Sequence, residues 1–425
     1  MKGSVTRRAS VTEEHITLIQ HPGELDEGKG KFLGHITPKS GKAADIMSAI
    51  KEFCQKKKIS LADLRGIGCD GTAVNTGDKG GVIALLEKHL KRPLHWLSCQ
   101  LHANELPLRL LINELDGKTT GPSGFKGDVG KGLTGCEDLP IVAYDPIPSE
   151  DIAIDLKKVK LSTDQFYLLR VYRAVASGHC PEDVANATPG KVVHSRWLTT
   201  ACRVLRLYMA SPDPSDVLRQ ITEYVMYVYT PTWFEIKSRE SIAMGGKHVF
   251  NMVTRLRKLP EHIQLLVRPS VQRNAYFAHS ENFILSLVFD NLEETRKFGF
   301  EQIKKARFTP HQQRDIRLFQ IPEINFDANQ LEHLIDWEQI VYEPPLLAHL
   351  SFEVLNAHAQ FGRELDMPWV KYIPSHTQSV ERGVQLVTQV AAKVTGEEDR
   401  EGMIHNTIAS RNKMPEYESK KDFRF

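Results

Sequence analysis

Asp70 is the first residue whose type and position could carry chemistry. It closes a short apolar run, Arg65-Gly66-Ile67-Gly68-Cys69, and leads into Gly71-Thr72-Ala73-Val74-Asn75-Thr76-Gly77. Three readings compete. Asp before Gly is a common way to leave a strand. A glycine-rich stretch from Gly68 to Gly81 could cradle a phosphate, but no Gly-Lys-Ser/Thr and no GxGxxG opens the following helix, which argues against it. A carboxylate on a rigid strand end could instead hold magnesium, which prefers oxygen ligands. Spacing alone favours the turn.

The flanking elements make Asp70 more informative. An amphipathic segment, Val82 to Leu90, precedes a second apolar run, Leu94-His95-Trp96-Leu97-Ser98-Cys99, which breaks into Gln100-Leu101-His102. Strand, crossover helix and strand predict half of a parallel α/β sheet. Ligands of such sheets lie beyond the carboxyl ends of the strands, where Asp70 and a Cys99–His102 turn are expected. Upstream, Glu14 to Ile19 alternates as a strand, and Phe32 to Ile36 reads as its hairpin partner. Ala43, Ile46, Met47, Ile50, Phe53 and Cys54 then share one helical face. Lys56-Lys57-Lys58 closes that helix, where cations suit the macrodipole.

Downstream, Glu105 to Leu115 reads as an apolar helix, Gly117 to Gly135 as a flexible loop bearing Lys118, Lys126 and Lys131, and Pro140 to Ile147 as an extended connector. Helical periodicity runs from Leu161 to about residue 308. Ser162-Thr163-Asp164-Gln165 is a capping box ahead of Phe166, Leu169 and Tyr172. A helix is predicted over Leu198 to Met209, and another over Asp216 to Tyr229, stopping before Thr230-Pro231. Further helices are expected within 281–298, near 331–335 and over 351–365. A last amphipathic helix starts at Ser379-Val380-Glu381-Arg382, with Val380, Val384, Val387 and Val390 on one side.

Two further groups have a bland and a functional reading. Trp197 is by default a core aromatic and Arg196 a surface cation. Alternatively, indole and guanidinium stack on extruded bases and Arg pairs with phosphate, with Lys191 and His194 adding phosphate contacts. Glu381 in the first turn of its helix complements the dipole and needs no other role.

Composition bounds the rest. The chain has 425 residues, with 55 Lys+Arg against 53 Asp+Glu for a net charge of +2, so a DNA-binding surface must be a local patch. Six cysteines without a CxxC pair suit reduced thiols in the nucleus or cytoplasm. No signal peptide and no membrane-length apolar run is visible, so no membrane partner is expected.

Asp70-x-x-x-x-Asn75 after a strand, the Cys99-x-x-His102 element with Leu101-His102-Ala103-Asn104-Glu105-Leu106-Pro107, Ser-Arg196-Trp197 before a helix, and Ser-x-Glu381-Arg382 opening a helix occur here in that order. Together they resemble the hAT-superfamily transposases, which carry a ribonuclease H-like core, and more closely a set of transposon-derived cellular proteins. The resemblance implies an α/β fold: a ribonuclease H-like core (11–116 and 346–410) split by a helical insertion (117–345), with a disordered start (1–10) and a basic tail (411–425). It implies that Asp70 and Glu381 are the second and third acids of a magnesium-binding Asp-Asp-Glu triad. Cys99 and His102 would lie beside them as a structural turn without zinc. Arg196 and Trp197 would belong to the DNA-binding element.

One departure matters. Only two strands precede the first helix, so the strand bearing the family's first acid has no counterpart, and Asp26 is the nearest substitute. The chain is therefore expected to lack that strand and any zinc-finger domain before it. Magnesium binding would be weak or lost. The expected function is that of a transposase-derived DNA-binding protein without efficient cleavage. An active transposase or nuclease, its first acid supplied by Asp26 or by upstream sequence, is the alternative, and a protein-interaction scaffold is another. An exposed sheet edge would leave homo-oligomerisation open. The Asp70 and Glu381 carboxylates should approach within about 10 Å.

Overall fold

The computed structural model describes residues 13–278, apart from 21–30, 65, 78–79, 92–93, 120–123, 157–158, 160, 191–196 and 239–244, together with 387, 390, 393–394 and 396–413. The expected helices at 281–298, 331–335 and 351–365, and residues Asp26 and Glu381, lie outside these. The described elements are mixed α/β, with far more helix than strand. They fall into two compact units, one formed from the described parts of Met1–Leu64, Thr72–Lys91 and Thr377–Phe425, the other from those of Arg65–Gly71 and Arg92–His376. The division differs from the expected 11–116 block, because the second strand pair and the helix after it build their core with the helical region.

In the first unit, β1 (Ile16–Gln20) and β2 (Lys31–Ile36) pair antiparallel, with an irregularity between Leu18 and Ile19. Helix α1 (Ala43–Lys56) packs Phe53 and Cys54 against Ile36, as its apolar spacing requires. Gly34 on β2 permits that approach, since a Cβ there would lie 2.7 Å from the Phe53 ring. C-terminal residues return to this unit. Val387 and Val390, together with Ile404 of α13 (Glu397–Lys413), pack with Phe32. Lys57 pairs with Glu401 at 2.8 Å, and Arg400 with Glu13 at 2.9 Å. Short α2 (Ala73–Thr76) and α3 (Val82–Leu90) complete it, α3 burying Val82, Ile83 and Leu86.

The second unit contains β3 (Gly66–Cys69) and β4 (His95–Ser98), paired in parallel from Gly66↔His95 to Cys69↔Ser98. Beyond β4 the chain enters α4 (Gln100–Leu115), whose Leu108, Leu111 and Ile112 are buried in the helical core. Pro107 inside α4 cannot donate to the Ala103 carbonyl one turn back. That carbonyl is taken by the Asn274 amide on α12 (Glu261–Ala278), so the proline creates a docking point for another helix.

The described part of the glycine-rich stretch after α4 contains a short helix where the sequence predicts a loop. Asp116 accepts from the Val129 and Gly130 N–H groups at 3.0 and 2.7 Å and so starts α5 (Asp128–Gly132). Residues 140–147 form the expected extended connector. Val142 N–H donates to Met209 O, and Ile147 N–H to Val175 O. The capping box forms as read, with Ser162 N–H donating to Gln165 Oε1 and Gln165 N–H to Ser162 Oγ at the start of α6 (Thr163–Ser177). Leu169 and Tyr172 are buried, but Phe166 is 43% exposed, with the Arg170 guanidinium over its ring. Short α7 (Glu182–Ala185) precedes α8 (Trp197–Met209).

The largest departure is at Thr230-Pro231. Helix α9 (Asp216–Tyr224) does not stop there. It widens into a π turn, Val225–Tyr229, and continues as α10 (Thr230–Ser238). The looser turn opens the hydrogen-bond ladder where Pro231 has no N–H to offer, so the proline is absorbed instead of ending the helix. Helix α11 (Gly245–Leu256) then packs on α10 and α12.

Between α10 and α11 lies a partly buried ionic network. Arg255 donates to Glu235 Oε2 at 2.9 Å, to Thr232 Oγ1 at 3.1 Å and to Glu150 Oε1 at 2.6 Å. Burial would raise the Glu235 carboxyl, but the His248 imidazole, with Nδ1 3.7 Å from Oε1, and the Arg255 guanidinium outweigh it and hold it down, at about 2. Its folded value thus lies below the ordinary 4.5. The stabilisation is complete above that ordinary value and is lost as pH falls through about 2, on the order of 3 kcal/mol in all. Urea unfolding of the full chain should show a larger loss between pH 6 and pH 2.5 for the wild type than for Glu235→Gln. Equal losses would mean that Glu235 does not carry the acid sensitivity.

Candidate phosphoryl-transfer site at the carboxyl ends of β3 and β4

Parallel pairing puts the ends of β3 and β4 side by side, and one further bond extends the ladder, from Cys99 N–H to Cys69 O at 2.8 Å. Asp70 and Cys99 therefore leave the sheet together, as the spacing predicted. Gly66 makes the pairing close, because a Cβ there would meet His95 at 3.0 Å. The Cys99–His102 segment is not a free-standing turn. Cys99 is the N-cap residue of α4, and Gln100 begins the helix, so His102 sits in its first turn.

That position brings His102 to Asp70's neighbour. A Cβ on Gly71 would lie 3.5 Å from His102 Cδ2. The other side of the ring faces Glu105, with Nδ1 3.6 Å from Oε2. Both side chains are largely buried, at 12% and 14% exposure. The next turn is anchored by Asn104, fully buried, whose amide donates to Tyr229 O in the π turn at 3.0 Å. A helix laid against the sheet tip and held at its second turn gives the site a rigid wall.

Burial pushes the Cys69 thiol up well above its usual range, and the Asp70 carboxylate and then Cys99 push it further. The Asp70 carboxylate is a hard oxygen donor at this edge. Among the described residues no group of three His, Cys, Asp or Glu is arranged to hold a metal. Glu381, the second expected ligand, lies outside them, so its distance from Asp70 is not part of the described geometry. His179 and Cys180, the pair that could complete a zinc set with Cys99 and His102, lie at the end of α6, where Cys180 is electrostatically coupled to Arg206, Asp183 and Arg170.

The structure separates the other sequence candidates. Trp197, the first residue of α8, is 5% exposed and meets Phe125 edge-on with ring centroids 6.1 Å apart. Its indole is a core aromatic, the bland reading of this residue, and is not presented for stacking on a base. Arg196, His194 and Lys191 lie outside the described residues. Lys118, Lys126 and Lys131 are exposed, and Lys131 lies 3.7 Å from the exposed Asp128. Sequence reasoning did not single out Glu105 as a partner of His102, although the three-residue spacing on a helix is its signal.

Asp70→Asn removes the negative charge nearest the Cys69 thiol. Alkylation of Cys69 by a small reagent at pH 9, followed by peptide mass, should speed up several-fold in that variant. An unchanged rate would show that the carboxylate does not face the thiol. Comparison with protein-family models, curated proteins and solved structures finds no match for this chain.

Proposed function

We propose that the chain is a transposase-derived DNA-binding protein that retains part of a phosphoryl-transfer site without efficient cleavage. One observation carries this reading: Asp70, Gly71, Cys99 and His102 come together at the carboxyl ends of two parallel strands. A strand-tip carboxylate can supply one of the oxygen ligands that a magnesium-dependent phosphoryl-transfer site uses. The packing of C-terminal residues on the β1–β2–α1 unit supports a ribonuclease H-like core split by the intervening helical region.

Magnesium, when bound, would polarise a phosphodiester and activate its nucleophile; Asp70 and Glu381 are the two carboxylates that the motif offers as its ligands. Two acids match the motif, and the geometry of in-line attack tolerates little displacement, so cleavage is expected to be inefficient. His102, backed by Glu105, packs beside Gly71, the residue that follows Asp70. Contact with DNA would come from Arg196, with Lys191 and His194, and from the exposed lysines of the 117–135 segment. With a net charge of +2, this binding depends on a local patch. Magnesium and DNA are the cofactor and partner of this reading, and the nucleus is the compartment in which they would meet. No helix among the described residues is long and apolar enough to cross a membrane.

Titration of the full chain with single- and double-stranded DNA over a salt series should show weak binding that falls steeply as salt rises. Arg196→Ala should reduce affinity about tenfold and the salt slope by about one, whereas Glu381→Ala leaves both nearly unchanged. No magnesium-dependent cleavage or strand transfer is expected. Robust cleavage that disappears in Asp70→Asn would establish the active-nuclease alternative. Absence of salt-sensitive binding would move the reading to an interaction scaffold.

A further inference from the structure

One face of α6 carries Phe166, Arg170 and Arg173, at the four- and three-residue spacing that lines side chains up along a helix. Phe166 is exposed, although Gln165, Tyr167, Leu168 and Leu169 beside it in the chain are buried. The Arg170 guanidinium lies over its ring, 5.8 Å from the centroid. Asp183 of α7 holds that guanidinium by both ends, pairing with Nη1 and, at 2.7 Å, with Nη2. Arg173, one turn further along, is exposed and gives Nη2 to the Ile152 carbonyl at 3.3 Å. It forms no ion pair with a carboxylate among the described residues.

The two arginines therefore differ in what they can do. Arg170 has spent its charge and its fork on Asp183, so it acts as a fixed flat surface beside the ring. Arg173 keeps an unopposed charge about 10 Å along the helix from Phe166. The rim of the ring is polar, since Ser162 and Thr163, one turn before Phe166, are exposed. One ring with such a rim is much smaller than the apolar patch of a protein interface. It fits a single flat group with hydrogen-bonding edges, and a nucleobase is such a group. Bases stack on aromatic rings and guanidinium planes, and phosphates are drawn to arginine.

We infer that this face of α6 is a docking site for single-stranded nucleic acid, in which one unpaired base stacks on Phe166 and Arg173 takes a neighbouring phosphate. Asp183 is a positioning residue that keeps Arg170 against the ring. The inference rests on the DNA-binding reading above and adds a strand preference to it, because a base must be free of its duplex stack to reach the ring. It also moves the stacking role. Trp197 is buried at the start of α8, whereas Phe166 is exposed on α6, the helix packed against α8.

Fluorescence anisotropy of the full chain with a short labelled oligonucleotide, single-stranded and as its duplex, tests the site. Phe166→Ala should weaken single-strand binding about tenfold and leave duplex binding unchanged, and Phe166→Trp should restore the single-strand affinity. Arg173→Ala should lower the single-strand salt slope by about one. Photocrosslinking of a single strand carrying 5-iodouracil should mark the peptide that contains Phe166. Equal single-strand affinity in wild type and Phe166→Ala, with the wild type still binding DNA, would overturn the docking site and leave the DNA-binding reading standing. Equal loss on both strand forms would overturn the base-stacking role. No binding to either form would overturn this inference and the DNA-binding reading together. A changed oligomeric mass in Phe166→Ala at unchanged single-strand affinity would make the face a protein contact instead.

Discussion

A buried backbone polar group must be paired, and α4 shows how far that constraint reaches. Pro107 leaves the Ala103 carbonyl without its helical donor, and an unsatisfied buried carbonyl costs about 1–3 kcal/mol. Asn274 supplies the bond from α12, and Asn104, three residues before the proline, donates to Tyr229 O in the π turn. Both side chains commit α4 to particular neighbours. Because α4 starts at the tip of β4, the same bonds hold His102 beside Gly71, with Glu105 against the imidazole. The candidate site is therefore rigid on its helical side for reasons that originate in the helical core.

That core is apolar except where chain segments are tied to it. Arg203 binds the carbonyls of 133, 189 and 190 and the Glu137 carboxylate, drawing two irregular stretches onto α8. Arg255 links α11 to α10 and to Glu150 in the same way. A buried ion pair is weak evidence for stability in itself, since desolvation offsets much of its attraction. What these arginines contribute is selection: one placement of the connecting segments satisfies their donors, and other placements strand a charge in the core.

At the tip of the parallel strands the order of effects is reversed. There burial and the neighbouring Asp70 carboxylate together push the Cys69 thiol up. The carboxylate oxygens are hard donors and suit a hard cation. Transposase ancestry is a proposal that gives this arrangement a purpose, and the geometry of the tip is where it meets physical chemistry.

Much of the local structure was legible in the chain. Alternation at 14–19 and 32–36, the helical spacing of Ile46, Phe53 and Cys54, the Ser162–Gln165 capping box and the strand ending at Asp70 all encode short-range preferences, and each appears in the structure. Such patterns are read within one or two turns, which is the range over which propensity and capping act. What only the tertiary structure decided involves partners distant in sequence. Pro231 reads as a helix stop, yet a π turn carries the helix through it. Trp197 admits a surface role until Phe125 meets it in the core. Arg203 and Arg206 are buried although no acidic residue lies near them in the sequence. Glu137, 66 residues before Arg203, takes one, and burial by elements from elsewhere in the chain decides the other. Whether a charge is buried depends on such long-range partners, and a window of sequence does not contain them.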